Sequence, residues 1–214
     1  NTMTRARGFP FLPGYSNVGR IVAVGSSVET YRPGQLVVTE QPHQSHAVLP
    51  ATVGNGLLPE KYRDRYHSAL SPEAGFTPHH LIWPIPEDCD ARTLQACSLF
   101  SLAKVGLHGV RRARLELGEA VLVVGLGPIG LCAAQFARLQ GAWPVLGLDP
   151  SPERRRFAQS CGVDAVFADA AELAAGHRLM SGARPPVVIE ATGRPEVIPQ
   201  AFRLCAKGGR VVLL

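Results

Sequence analysis

Residues 121–131, VLVVGLGPIGL, set Gly125, Gly127 and Gly130 in a G-x-G-x-x-G spacing where an apolar run meets a helical pattern. A chain carrying this stretch has to leave a buried strand, turn at once, and enter a helix lying close against that strand. Gly125 permits the tight turn, Gly127 lets the backbone approach a pyrophosphate, and Gly130 lets helix and strand pack closely. Pro128 suits the first helical turn, where its missing N–H costs nothing, and Ile129 follows it within the same turn. The helix start then offers unpaired N–H groups and the positive end of a dipole.

Glycine spacing by itself also serves ordinary tight turns. Here it follows a strand, opens a helix, and is followed by Asp149 at the end of the next apolar run, WPVLGLD. That context points to dinucleotide binding. Asp149 is expected to accept hydrogen bonds from the adenosine ribose; its charge opposes a 2′-phosphate, so NAD is favoured over NADP. The plainer reading of Asp149 is a helix N-cap. Arg154 reaches the same ribose or else belongs to a solvated helix face. Arg155 and Arg156 read as solvent-facing and keep NADP as the lesser alternative.

The alternation continues on both sides. Residues 91–115 space their apolar positions at three and four, for one long or two short helices. After the glycine turn come a helix closed by Gly141, a strand at 143–149, a helix ending at Gly162, and the strands AVFAD, PVVIEATG and GRVVLL. Continuous apolar strands alternating with helices predict a doubly wound parallel α/β sheet, covered on both faces. Residues 1–90 differ: RIVAV and QLVV read as strands between turns, HLIWPIPED returns to strand, and 49–78 reads as an inserted loop or lobe. The expected organisation is a β-rich unit over 1–90 and a nucleotide-binding unit over 91–214.

Several classes are disfavoured. The net charge of +5 comes with scattered arginines and no basic stripe interleaved with aromatics, so no nucleic-acid partner is expected. No run approaches the roughly eighteen apolar residues of a membrane span. Five dispersed cysteines without a C-x-x-C pair, and no secretory leader, suggest a reducing cytoplasm. The beginning NTMTRARG and the end GGRVVLL both read as cuts in a longer protein.

The chain resembles the medium-chain dehydrogenase/reductase family, the alcohol dehydrogenase superfamily. The resemblance rests on PGYSNVGRIVAVG at 13–25, GQLVV at 34–38, LHGVRRARLELGEAVLVVGLGPIG, and LDPSPERRRFAQSCGVD, in the family's order. It implies a GroES-like catalytic domain ahead of a Rossmann domain. It also implies hydride transfer between a nicotinamide cofactor and a small-molecule substrate, an alcohol/carbonyl pair or an activated double bond. Zinc-dependent members carry a His where Tyr15 stands and an acidic residue where Ser16 stands; a later ligand position falls near Phe100. Tyrosine, serine and phenylalanine do not make the N/S/O tetrahedron of zinc. The upstream cysteine and the four-cysteine lobe are missing, and NTMTR resembles the polar stretch of zinc-free relatives. The chain is therefore similar to the zinc-independent branch, with no metal expected.

Without zinc, another group must serve the developing oxyanion. The candidates are Tyr15, His43 in EQPHQSH, and Lys104 in SLAKVGLHG, near the place where relatives set a hydroxyl residue against the nicotinamide. A lysine on an otherwise apolar helix is a usable proton donor; the plainer reading has it snorkelling to solvent. His43 is otherwise a surface loop histidine, and Tyr15 a packing residue filling the vacated site. His46, His79 and His80 read as structural. The resemblance also places Thr192 and Gly193 at the adenine side, Leu213 and Leu214 at the edge of the nicotinamide site, and a homodimer in the full-length protein. Two alternatives stand beside the dehydrogenase: a non-catalytic dinucleotide-binding scaffold or sensor, and an NADPH-dependent quinone or enoyl reductase.

Overall fold

The computed structural model describes residues 16–40, 43, 45–48, 82–176 and 183–214. Tyr15, His79, His80 and the insertion expected at 49–78 lie outside the described residues. The chain divides into two compact units, Asn1–Ser101 and Leu102–Leu214.

The first unit holds an antiparallel sheet of β1 (Asn17–Arg20), β2 (Leu36–Thr39) and β3 (Ile82–Pro84), in that order. Val18 faces Val38 across one ladder, and Val38 faces Trp83 across the other. The strand expected at RIVAV is displaced toward the N-terminus. β1 ends at Arg20, and Ile21 makes the last two cross-strand bonds, from its N–H to the Gln35 carbonyl at 2.9 Å and from the Gly34 N–H to its own carbonyl at 2.7 Å. The Pro33–Gly34 turn carries the segment leading into β2 away at that point, so Val22 to Val24 run on without a ladder, and Val22 is exposed. A β-branched run favours a strand only where a neighbour continues beside it.

The helical stretch after residue 90 forms two helices, α1 (Ala91–Cys97) and α2 (Phe100–Ala113). Asp90 caps α1 by accepting the Thr93 N–H at 2.7 Å. The Phe100 ring packs on Trp83 of β3 with centroids 4.6 Å apart and planes tilted by 46°.

In the second unit, five parallel strands stand in the order β6 (Ala165–Phe167), β5 (Val145–Leu148), β4 (Val121–Val124), β7 (Val187–Glu190), β8 (Arg210–Leu213). Between them run α3 (Pro128–Leu139), α4 (Pro152–Ser160), α5 (Ala170–Gly176) and α6 (Ile198–Leu204). Alternation along β4 sends Val121 and Val123 to a core with Ala133, Ala134 and Ala137 of α3, and Leu122 and Val124 to one with Leu173 of α5 and Ala201 of α6. Both sheet faces are covered, as the unbroken apolar strands predict.

This order matters for function. The chain winds outward from β4 through β5 and β6, then returns to the other side of β4 for β7 and β8. The winding reverses between β4 and β7, and a crevice opens beyond the carboxyl ends of the strands at such a point. Among the described residues no helix is long and apolar enough to cross a membrane. All five cysteines are free thiols.

Candidate functional site

Three strand ends build the crevice. β4 delivers Gly125 to Pro128, β5 delivers Asp149, and β7 delivers Glu190 to Thr192. The end of β4 is held from both sides: the Gly125 N–H donates to the Leu148 carbonyl and the Ala191 N–H to the Val124 carbonyl, each at 2.8 Å.

The three glycines do different work. Gly125 has φ +91°, a conformation that suits glycine. A side chain there would meet the Thr192 Cγ2 at 2.8 Å and the Thr192 backbone nitrogen at 3.0 Å. Gly130 lies in the first turn of α3, where an added Cβ would stand 1.8 Å from the Gly125 carbonyl oxygen. Gly127 is the N-cap of α3 and has nothing within 4 Å of an added Cβ. Two glycines thus let chain meet chain; the third leaves bare backbone facing open space at a helix start. Pro128 follows as the first residue of α3.

Asp149 is 2% exposed. Its Oδ2 accepts the Leu126 N–H at 2.9 Å and its Oδ1 accepts the Ser151 N–H at 2.8 Å. The Arg154 guanidinium lies 3.5 Å from Oδ2, with its side chain largely exposed. The N-cap of α4 is Ser151, so Asp149 does not cap that helix. Its carboxylate instead ties the glycine turn to the end of β5. A carboxylate has about four lone-pair positions, so acceptor capacity remains beside the two backbone donors. Arg155 departs from the solvent-facing expectation: it is half-buried and donates to the carbonyls of Asp149 and Pro150, both at 2.8 Å.

These groups open on a cleft of about 500 Å³ whose walls include Gly125, Gly127, Ile129, Asp149, Arg154 and Thr192. Pro128 and Arg194 also border it. Gly130, Gly193 and Leu213 stand apart from its walls. Gly130 is buried in the helix–turn contact, Gly193 follows Thr192 at φ +65° on the exposed surface, and Leu213 is exposed at the end of β8. Glu190, 2% exposed at the tip of β7, belongs to the site's framework and is not among the residues singled out from the sequence. Two acidic residues at the ends of apolar strands, Asp149 and Glu190, were the available signal.

The groups proposed for proton transfer lie in separate units. Lys104 is half-buried on α2 in the second unit. His43 is exposed in the first unit, its Nε2 3.2 Å from the Ser16 carbonyl oxygen. A second cleft, of about 580 Å³, lies in the first unit beside β1 and β2; His46 is among its lining residues and His43 is not.

Zinc finds a poor donor set at the described positions that the resemblance marks for it. The Ser16 hydroxyl donates to the Ser98 carbonyl at 2.6 Å. The phenyl ring of Phe100, packed on Trp83, has no lone pair to give. The Ser101 hydroxyl beside it is buried without a partner, and a lone neutral hydroxyl does not replace a thiolate, imidazole or carboxylate. Among the described residues no three His, Cys, Asp or Glu side chains gather as a metal site.

Residues 128–214 match the model of a family described as zinc-binding dehydrogenase. Over 215 residues the chain is 29% identical to sorbitol dehydrogenase of Bos taurus, across 96% of this chain and 59% of that protein. Over 218 residues it is 26% identical to (R,R)-butanediol dehydrogenase of Bacillus subtilis, across 96% of this chain and 58% of that protein. The structure of galactitol-1-phosphate dehydrogenase from Escherichia coli superposes with a TM-score of 0.70 at 21% identity, over 97% of this chain and 60% of that one. The last likeness is one of fold: a GroES-like unit followed by a Rossmann unit. The chain spans about three-fifths of the length of the curated relatives it matches.

Proposed function

We propose, on its similarity to the zinc-binding dehydrogenase family, that this protein is an NAD(H)-dependent oxidoreductase that works without zinc on an alcohol/carbonyl pair. One observation carries the reading: the bare backbone at Gly127 opens α3 in the crevice between β4 and β7, with Asp149 at the neighbouring strand tip. The glycine turn and the α3 N-terminus suit a pyrophosphate, and the remaining acceptor capacity of Asp149 suits ribose hydroxyls. The carboxylate disfavours a 2′-phosphate, which supports NAD over NADP. The nicotinamide cofactor, when bound, supplies hydride chemistry.

The protein's own part is to orient the dinucleotide and supply the proton. Lys104 Nζ is the proposed donor to the carbonyl oxygen, with His43 and Tyr15 as the other candidates. The packing of Phe100 and the hydrogen bond of Ser16 support the zinc-free assignment. By the same reading, the full-length protein is a cytoplasmic homodimer acting on a small molecule.

A nicotinamide-fluorescence titration of the full-length protein with NADH and NADPH, with zinc measured on the same sample, tests this. NADH is expected to bind more tightly than NADPH in a sample without stoichiometric zinc. Lys104→Ala should then lower kcat on the identified substrate by about 10²-fold or more and leave NADH affinity within about threefold. His43→Ala is expected to have the smaller effect. Binding of neither cofactor would sink the oxidoreductase reading; NADH binding without turnover of any alcohol would leave the scaffold or sensor; stoichiometric zinc would overturn the metal-free assignment.

A further inference from the structure

We infer that Glu190 is a positioning residue for dinucleotide binding, acting through Thr192 to hold the glycine turn in its binding shape. The inference rests on the proposed dinucleotide reading. It starts from a costly feature. Glu190 is a carboxylate 2% exposed at the tip of a central strand, in register with Val124 where β4 ends. An ionisable group in such a place demands hydrogen bonds.

It finds them on one residue. Glu190 Oε1 accepts the Thr192 backbone N–H at 2.7 Å and also the Thr192 hydroxyl. The Thr192 hydroxyl oxygen in turn accepts the Arg194 N–H at 3.1 Å. A carboxylate only accepts, so the threonine hydroxyl must donate toward Glu190 and keep a lone pair for Arg194. With the hydroxyl fixed and χ1 of a β-branched residue stiff, the Thr192 methyl has one place to go. That place is against Gly125: the methyl carbon lies 2.8 Å from where a Gly125 side chain would begin.

The line of contact therefore runs from Glu190 to Thr192 to Gly125. From Gly125 the backbone leads directly to Leu126, whose N–H is bound by Asp149, and to Gly127, the bare N-cap. Thr192 and the glycine turn share the walls of the cleft. Asp149 pins the turn from the β5 side and Glu190 from the β7 side. With Glu190 removed, Thr192 gains rotamer freedom and the turn loses its β7-side wall before any ligand arrives, so binding must restore an order that was already present.

The test uses the full-length protein with Glu190→Ala, Glu190→Gln, Thr192→Val and the double variant Glu190→Ala/Thr192→Val. Two readouts are taken: NADH affinity, and amide hydrogen exchange of residues 124–131 without ligand, compared with 152–160 as an internal reference. Glu190→Ala is expected to weaken NADH binding about tenfold and to speed exchange in 124–131 more than in 152–160. Glu190→Gln keeps an acceptor and should recover most of the loss. Thr192→Val keeps the methyl but not the hydroxyl, and the double variant should bind no more weakly than Glu190→Ala alone. Equal acceleration of both segments with unchanged NADH affinity would make Glu190 merely structural. Additive losses in the double variant would show that it does not act through Thr192. Should the wild-type protein fail to bind NADH, the dinucleotide reading falls, and the exchange comparison still decides whether the Glu190–Thr192 contact holds the turn.

Discussion

Replacing Gly130 with alanine is expected to destabilise the second unit by about 3 kcal/mol or more. The added methyl would stand 1.8 Å from the Gly125 carbonyl oxygen, 3.0 Å from the Gly125 carbonyl carbon and 3.3 Å from Val123 Cγ1. The first two obstacles are backbone, and that backbone is fixed by bonds to β5 and β7, so relief requires α3 to lift from the sheet. That movement opens the core that Ala133, Ala134 and Ala137 make with Val121 and Val123. In urea unfolding the midpoint should fall by about 1.5 M, taking a slope of about 2 kcal/mol per molar. Gly127→Ala makes the contrast. Its methyl meets nothing within 4 Å, and φ −73° with ψ −175° is open to any residue. Stability should stay within about 0.5 kcal/mol, while NADH affinity drops by about tenfold or more, because the methyl fills the approach to the pyrophosphate. A Gly127→Ala protein that binds NADH like the wild type would rule out that cradle.

The contrast between these glycines marks what could be read from sequence. The spacing of Gly125, Gly127 and Gly130 and the place of Asp149 are local patterns, each set by one strand–turn–helix step, and they were legible as such. So was the parallel sheet, since Val121–Val124, Val145–Leu148 and Val187–Glu190 are apolar at every position but the last of β7. The strand at RIVAV was misplaced because its extent depends on the neighbouring strand, whose segment turns away at Pro33–Gly34. The role of Glu190 was hidden for a similar reason: it meets the glycine turn only because strand order sets β7 beside β4, bringing Val124 level with Glu190 from far along the chain. Arg155, read with Arg156 as solvent-facing, instead binds the two carbonyls of Asp149 and Pro150 after the end of β5. Of the positions where this chain departs from zinc-dependent relatives, Phe100 and Ser16 acquire meaning from Trp83 and Ser98, partners that their own motifs do not contain.

Asp149→Ala is expected to harm both the fold and the cofactor site, and the two losses have separate physical origins. The fold loses because the Leu126 and Ser151 N–H groups are left without the carboxylate, and a buried donor with no acceptor costs about 1–3 kcal/mol. A fall of about 3 kcal/mol in unfolding free energy follows for the pair, with the Ser151 group, nearer the surface, contributing the smaller share. The cofactor site loses because the acceptors offered to the ribose disappear, and NADH affinity should fall by about tenfold or more. Asp149→Asn separates the terms. Its single amide oxygen can serve Leu126 or Ser151 while the NH2 confronts the other donor, so part of the stability loss persists even with the charge removed. Removing the charge should also relieve the repulsion of a 2′-phosphate and narrow the proposed preference for NADH over NADPH. Yet the same change loosens the turn proposed to hold either cofactor, so NADPH affinity should not rise to the wild-type NADH value. Unfolding curves measured beside titrations with both cofactors decide the matter. Full stability in Asp149→Ala would remove its role in holding the turn; a stability loss with NADH affinity intact would remove its role at the ribose. Only the loss of both is consistent with one buried carboxylate shaping the turn and selecting the nucleotide bound there.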